Sequence, residues 1–133
     1  MTHTAAMLEA APSSPRYDLG VLSRCIESCL DCAQACTACA DACLAEETVG
    51  ELTRCISLNL MCADVCDATA FALSRQATSD DAAVRALVEA CVQACAGCAA
   101  ECEHHAEMHA HCRVCAEACR ACEQACRELL PSD

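Results

Sequence analysis

The stretch Cys25-Ile26-Glu27-Ser28-Cys29-Leu30-Asp31-Cys32-Ala33-Gln34-Ala35-Cys36-Thr37-Ala38-Cys39-Ala40-Asp41-Ala42-Cys43 decides the fold. Its six cysteines recur at intervals of 4, 3, 4, 3 and 4 residues. That spacing keeps every thiol on one face of an α-helix, whereas a strand would scatter them over two faces. The segment therefore reads as a helix over about residues 19–46, with Asp18 placed to cap its start.

The same phase returns three times downstream. Cys55, Asn59, Cys62, Cys66, Thr69 and Leu73 repeat the intervals 4, 3, 4, 3, 4 and predict a second helix over about 50–75. Thr48-Val49-Gly50-Glu51 ahead of it has the form of a capping box. Thr78-Ser79-Asp80-Asp81 is a second capping signal and opens a helix over about 80–104, with Val84, Leu87 or Val88, Cys91, Cys95, Cys98 and Cys102 in phase. Cys112, Cys115, Cys119, Cys122 and Cys126 mark the last helix, about 108–130, which Leu130-Pro131 ends. The third seam would run on through His105 and His109 to Cys112. The later spacing needs a phase shift, so a tight turn is expected within 103–110.

Residues 1–17 hold Pro12 and Pro15 and show no periodicity, and are expected to form a flexible tail with at most a turn of helix at Met7–Ala11. Four helices joined by short connections make an all-α fold, an antiparallel up-down four-helix bundle over 18–130 with a cysteine-lined core. Such a layout puts Leu22, Leu73, Val84 and Leu87 at one end. It puts His104, His105, Met108, His109 and His111 around the other.

Composition removes several function classes. The chain has 133 residues, 18 of them cysteine, and a net charge of −12 from 20 acidic and 8 basic side chains. All the bases are arginine, and no basic face exists for nucleic acid. Only 3 glycines and 3 prolines argue against a loop-rich disulfide scaffold. The first residues lack a basic and apolar leader, and no uninterrupted apolar run of about 18 residues occurs. A cytoplasmic protein without a membrane span is expected, where thiols stay reduced and many cysteines point to metal.

Buried cysteine packs like a small hydrophobe, but packing alone does not call for 18 thiols on four matching seams. Disulfides between neighbours on one helix are opposed by geometry. Zinc and iron–sulfur sites take groups of four ligands, usually from irregular backbone. Soft thiolates select Cu(I), and neighbours at i+3 and i+4 stand about 5–6 Å apart at Cβ, a span suited to a shared ion. If each ion takes two thiolates and each thiolate bridges two ions, about 18 Cu(I) are held, one per thiol. One proton then leaves for each Cu⁺ bound, and the core stays neutral.

The expected metal ligands are Cys25, Cys29, Cys32, Cys36, Cys39, Cys43, Cys55, Cys62, Cys66, Cys91, Cys95, Cys98, Cys102, Cys112, Cys115, Cys119, Cys122 and Cys126. Asn59, on the second seam, is an auxiliary ligand or a hydrogen-bonded core residue. At the mouth, His105 and His109 continue the cysteine phase and are the first choices for metal ingress, ahead of His104, Met108 and His111. Two other readings remain: a zinc- or cadmium-sequestering protein of metallothionein type, and a thiol redox protein. The second needs one cysteine set apart by its surroundings, and none stands apart in the sequence. An enzyme is therefore not expected.

The repeated Cys-x-x-x-Cys-x-x-Cys pattern at Cys25/Cys29/Cys32, Cys32/Cys36/Cys39, Cys91/Cys95/Cys98 and Cys115/Cys119/Cys122 resembles the bacterial copper storage proteins, over about residues 19–130. The absence of an export signal makes the chain look like their cytosolic branch. The resemblance implies a four-helix bundle, a homotetramer, Cu(I) held by thiolates inside each protomer, and copper ingress at one end beside non-cysteine ligands. Exported relatives use methionines there; this chain has mostly histidines.

Overall fold

The structure is a computed structural model and describes residues 2–77 and 80–131. Its elements are α1 (Thr4–Ala10), α2 (Leu19–Leu44), a 3-10 turn (Val49–Glu51), α3 (Thr53–Ser74), α4 (Asp81–His105) and α5 (Ala110–Leu129). No strand occurs among the described residues. Each of α2–α5 packs on two neighbours: α2 on α3 and α5, and α4 on α3 and α5. That is a four-helix bundle.

The sulfur pairs give the directions of the helices. Along α2 the numbers rise through 25, 29, 32, 36 and 39. Their α5 partners fall through 126, 122, 119, 115 and 112, all with Sγ···Sγ of 3.6–3.9 Å. Between α3 and α4, Cys55 meets Cys102, Asn59 meets Cys98, Cys62 meets Cys95 and Cys66 meets Cys91. Both pairs of helices are antiparallel and in register, because every helix carries the same 4-3 spacing.

Start signals act where the sequence supplies short acceptors. Asp18 accepts from the Val21 amide at 3.1 Å, and Asp80 from the Ala83 amide at 3.1 Å. Thr78 and Ser79 lie outside the described residues. The box at Thr48–Glu51 does not cap α3: Thr48 makes no side-chain cap bond, 49–51 form a 3-10 turn, and α3 starts at Thr53. The buried Leu52, drawn into the core at this point, holds the chain in the tighter turn. The break near the mouth falls at 106–109, where His109 is extended (φ −135, ψ 111) and α5 restarts in a new phase.

Residues 4–10 form a helix where the sequence reading expects a tail. Leu8 is 5% exposed and α1 lies against α2. The segment after it is fastened to the closed end: the Arg16 amide donates to Gln76 Oε1 at 3.1 Å, and the Arg16 guanidinium pairs with Asp81. Burial of one leucine and these bonds hold a helix too short to persist alone. The adjacent end of the bundle is filled by Leu22, Leu73, Val84, Val88 and Leu129. Val88, rather than Leu87, takes the buried seam position there.

By length and composition, α3 and α4 each contain a window apolar enough to cross a membrane, with mean hydropathy 1.4. Cysteine and alanine raise that index, and interspersed acids do not lower it enough. In the fold the cysteines of both helices face the other helices of the bundle.

Candidate metal centre

All 18 cysteines are free and buried. They stack in rungs that draw on all four bundle helices. Cys29, Cys91 and Cys122 meet with Cys66 at one level, and Cys32, Cys62, Cys95 and Cys119 at the next. Cys36, Cys98 and Cys115 with Asn59 form the third. Links along the helices, such as Cys32–Cys36 at 3.8 Å and Cys62–Cys66 at 3.9 Å, join successive rungs. These contacts are too long for a disulfide, whose S–S bond is about 2.05 Å. Several groups of four have all their sulfurs within 4.8 Å of one another, Cys32/Cys36/Cys62/Cys119 and Cys36/Cys98/Cys115/Cys119 among them. Sulfurs at this spacing can share small soft ions without refolding of the backbone.

Asn59 stands where the ladder would place a thiol. It is fully buried, accepts at Oδ1 from Cys98 (3.0 Å), Cys115 (3.2 Å) and Cys102 (3.5 Å), and donates from Nδ2 to Cys55 (3.7 Å). Both polar ends are therefore satisfied by sulfur. The only other buried polar residues among those described are Thr69 and Gln76, and both bond to backbone carbonyls. No buried cation exists among the described residues to balance a net negative core.

At the mouth the histidines part company. His111, placed second in the sequence reading, is the one that reaches the thiols: its Nδ1 lies 3.4 Å from Cys39 Sγ and 3.7 Å from Cys112 Sγ. Cys39, Cys43, His111 and Cys112 have their ligand atoms within 4.8 Å of one another. His105 instead faces Glu101 at 3.0 Å, and His109 faces Glu46 at 2.9 Å. His104 is exposed and Met108 is 71% exposed. The physical reason is the break at 106–109. The seam of α4 ends at His105, so His105 and His109 no longer share a helical face with Cys112.

Glu46 is the mouth residue the sequence reading missed. One oxygen, Oε2, accepts from His111 Nε2 (2.8 Å) and from His109 Nδ1 (2.9 Å), and the two rings stack with centroids 5.4 Å apart. The hydrogen bond from His111 holds the Glu46 carboxyl below the usual carboxylate range. A signal was present: Glu46 follows Cys43 by three residues, the next step of the 4-3 phase.

The thiols themselves differ by place. Burial pushes Cys112 up to about 12 and raises Cys43 as well. At the other end the thiol contact from Cys126 holds Cys25 down at about 5.

An antiparallel helical bundle whose interior is a continuous thiol ladder, with imidazole at one end, defines a protein built to hold soft metal ions. A sequence profile described as Csp, copper storage protein, matches residues 20–131. The chain belongs to the copper storage protein family. A structure of the copper storage protein Ccsp from Streptomyces lividans, loaded with 10 copper equivalents, is 56% identical with a TM-score of 0.93, over 96% of this chain and 97% of that one. A second structure, a cytosolic copper storage protein from Streptomyces lividans with five coppers, is 60% identical with a TM-score of 0.83, over 86% and 95% of the two chains. The Cu(I)-bound copper storage protein BsCsp3 is 36% identical with a TM-score of 0.72, over 80% and 95%. No curated protein matches the chain.

Proposed function

We propose that this chain stores Cu(I) in the cytosol, with residues 18–130 as the storing unit and the 18 cysteines as thiolate ligands. The observation that carries the reading is the ladder itself: a buried thiol file running the length of the bundle, with cross-helix Sγ···Sγ distances of 3.6–4.0 Å. Charge favours a monovalent guest. Each Cu⁺ replaces one thiol proton, so an interior with no buried cation stays neutral at about one ion per cysteine. A divalent ion on four thiolates leaves two uncompensated charges, which is costly in such an interior. A zinc or cadmium sink is disfavoured for that reason. No cysteine is exposed, which argues against a thiol redox enzyme, whose nucleophile must be reached.

His111 is the mouth ligand the geometry favours, with Asn59 an oxygen donor inside. The assembly is proposed to be a homotetramer, on the family resemblance. Anaerobic titration of the reduced protein with Cu(I) against a competing chelator tests the storage reading. Saturation near one ion per cysteine supports it; saturation below about five ions ends it.

A further inference from the structure

The four mouth ligands have a property the inner rungs lack. Cys39, Cys43 and Cys112 with His111 form a three-sulfur, one-nitrogen set at the histidine end of the ladder. A tetrahedral zinc ion, with Zn–S of about 2.3 Å and Zn–N of about 2.0–2.1 Å, sets S···S near 3.8 Å and S···N near 3.6 Å. The structure has Cys39–Cys112 at 3.9 Å, Cys39–His111 at 3.4 Å and Cys112–His111 at 3.7 Å. Cys43, within 4.8 Å of the others, completes the set. Glu46 takes the Nε2–H of His111, which leaves Nδ1 as the free lone pair facing the sulfurs. A carboxylate behind a ligating histidine is the usual support of a zinc site, since it fixes the ring and raises its basicity.

Several all-cysteine groups show similar S···S distances, so distance alone does not separate them from the mouth. Charge does. Four thiolates around Zn(II) carry −2 in an interior whose described buried polar groups are Asn59, Thr69 and Gln76. The helical amides are already spent within their helices and do not offset that charge. At the mouth a neutral imidazole replaces one thiolate and the complex carries −1. The Glu46 carboxylate behind it adds a further negative charge, but its side chain is 33% exposed and that of His111 25%, so water screens this end as it cannot screen the inner rungs.

From this we propose that the mouth is a single-ion site for a divalent d¹⁰ cation of the zinc class, held by Cys39, Cys43, Cys112 and His111 and backed by Glu46. Binding releases three thiol protons and changes no oxidation state. The bound ion occupies the sulfurs at the histidine end of the α2–α5 file, so Cu(I) arriving there must displace it before passing to the inner rungs. The same ligands hold copper once zinc has left, and the site thereby couples the start of loading to the zinc level around the protein.

The test uses the reduced, copper-free full chain, so it is independent of the storage reading, which the Cu(I) titration judges separately. Zn(II) is titrated against a chromophoric chelator, and Co(II) serves as a spectroscopic stand-in. The expected result is one tight equivalent per chain, with the visible bands of tetrahedral thiolate-bound Co(II). His111→Gln and Cys43→Ser remove that equivalent while helix content by circular dichroism is kept. Glu46→Gln weakens it by about 10–100-fold. Zinc-loaded protein should take up Cu(I) after a lag and release one zinc per chain. Octahedral Co(II), several equal zinc sites per chain, or an unchanged equivalent in Cys43→Ser would each overturn the proposal.

Discussion

The two ends of the bundle terminate one ladder in different ways. At the closed end Leu22, Leu73, Val84, Val88 and Leu129 fill the seam, with α1 and the Arg16–Gln76 bond laid over it. At the mouth the seam passes to Glu46, His109 and His111, which are joined through one carboxylate oxygen. The closed end works by excluded volume, which any well-packed aliphatic supplies. The mouth works by directed bonds, where tautomer and distance matter. The aliphatic end and the histidine end are thus built on the same helical register and separated by side-chain chemistry alone.

That contrast can be broken most sharply in the middle. Converting Cys32, Cys62, Cys95 and Cys119 to alanine removes one rung, and capacity by anaerobic Cu(I) titration should fall by about four ions. An unchanged capacity would mean that ions do not follow the rungs. Leu73→Ala attacks the closed end, where the side chain is fully buried. It should cost the apo protein about 2–5 kcal/mol in urea unfolding, with copper capacity unaltered. A capacity loss of the same size as that of the rung variant would erase the distinction between plug and ladder.

Alkali should separate apo from loaded protein. Cys112 is raised to about 12 and Cys43 is raised too, so folding favours their protonated forms. The stability from keeping them protonated is complete below the unfolded thiol value of about 8.5 and is lost as pH climbs toward the folded value. Thermal melts of apo protein should fall progressively above pH 9, while the loaded protein, which has no thiol protons to lose, holds its melting point. Asn59→Cys fills the one non-thiol place among the inner rungs. Capacity should rise by about one ion in the same titration, a small effect that only a stoichiometric ladder produces. Smallest of all, Arg120→Ala severs exposed ion pairs to Glu103 and Glu123. It should shift urea stability by less than about 1 kcal/mol and leave both ends alone.

The core was legible because its code is periodic. Cys25 through Cys43 already show which face turns inward, and the equal spacing of the other seams leaves few ways to assemble them. Asn59 was visible for the same reason, as an exception held in phase. The mouth was less legible because it forms where periodicity stops. Extending the α4 phase favours His105 and His109, but the chain breaks at 106–109, and the extended backbone of His109 hands contact with the thiols to His111. Glu46 lies in phase as well, but an acid beyond a cysteine seam resembles an ordinary solvated side chain until its two imidazole partners are placed. The docking of α1 depends on Leu8 meeting a distant helix, and local sequence carries no record of that contact.

The matched rise and fall of partner numbers along α2 and α5 governs which changes of length the chain can bear. One residue added inside a bundle helix turns everything beyond it by about 100°. Every later sulfur on that helix would then swing from the file toward solvent or a neighbouring helix, and the loss would grow with distance from the mouth or the plug. A substitution damages one position; an insertion dephases a whole column. Lineages carrying this architecture should therefore vary freely at many surface positions, yet change length only before α2, in the three connections, or beyond α5.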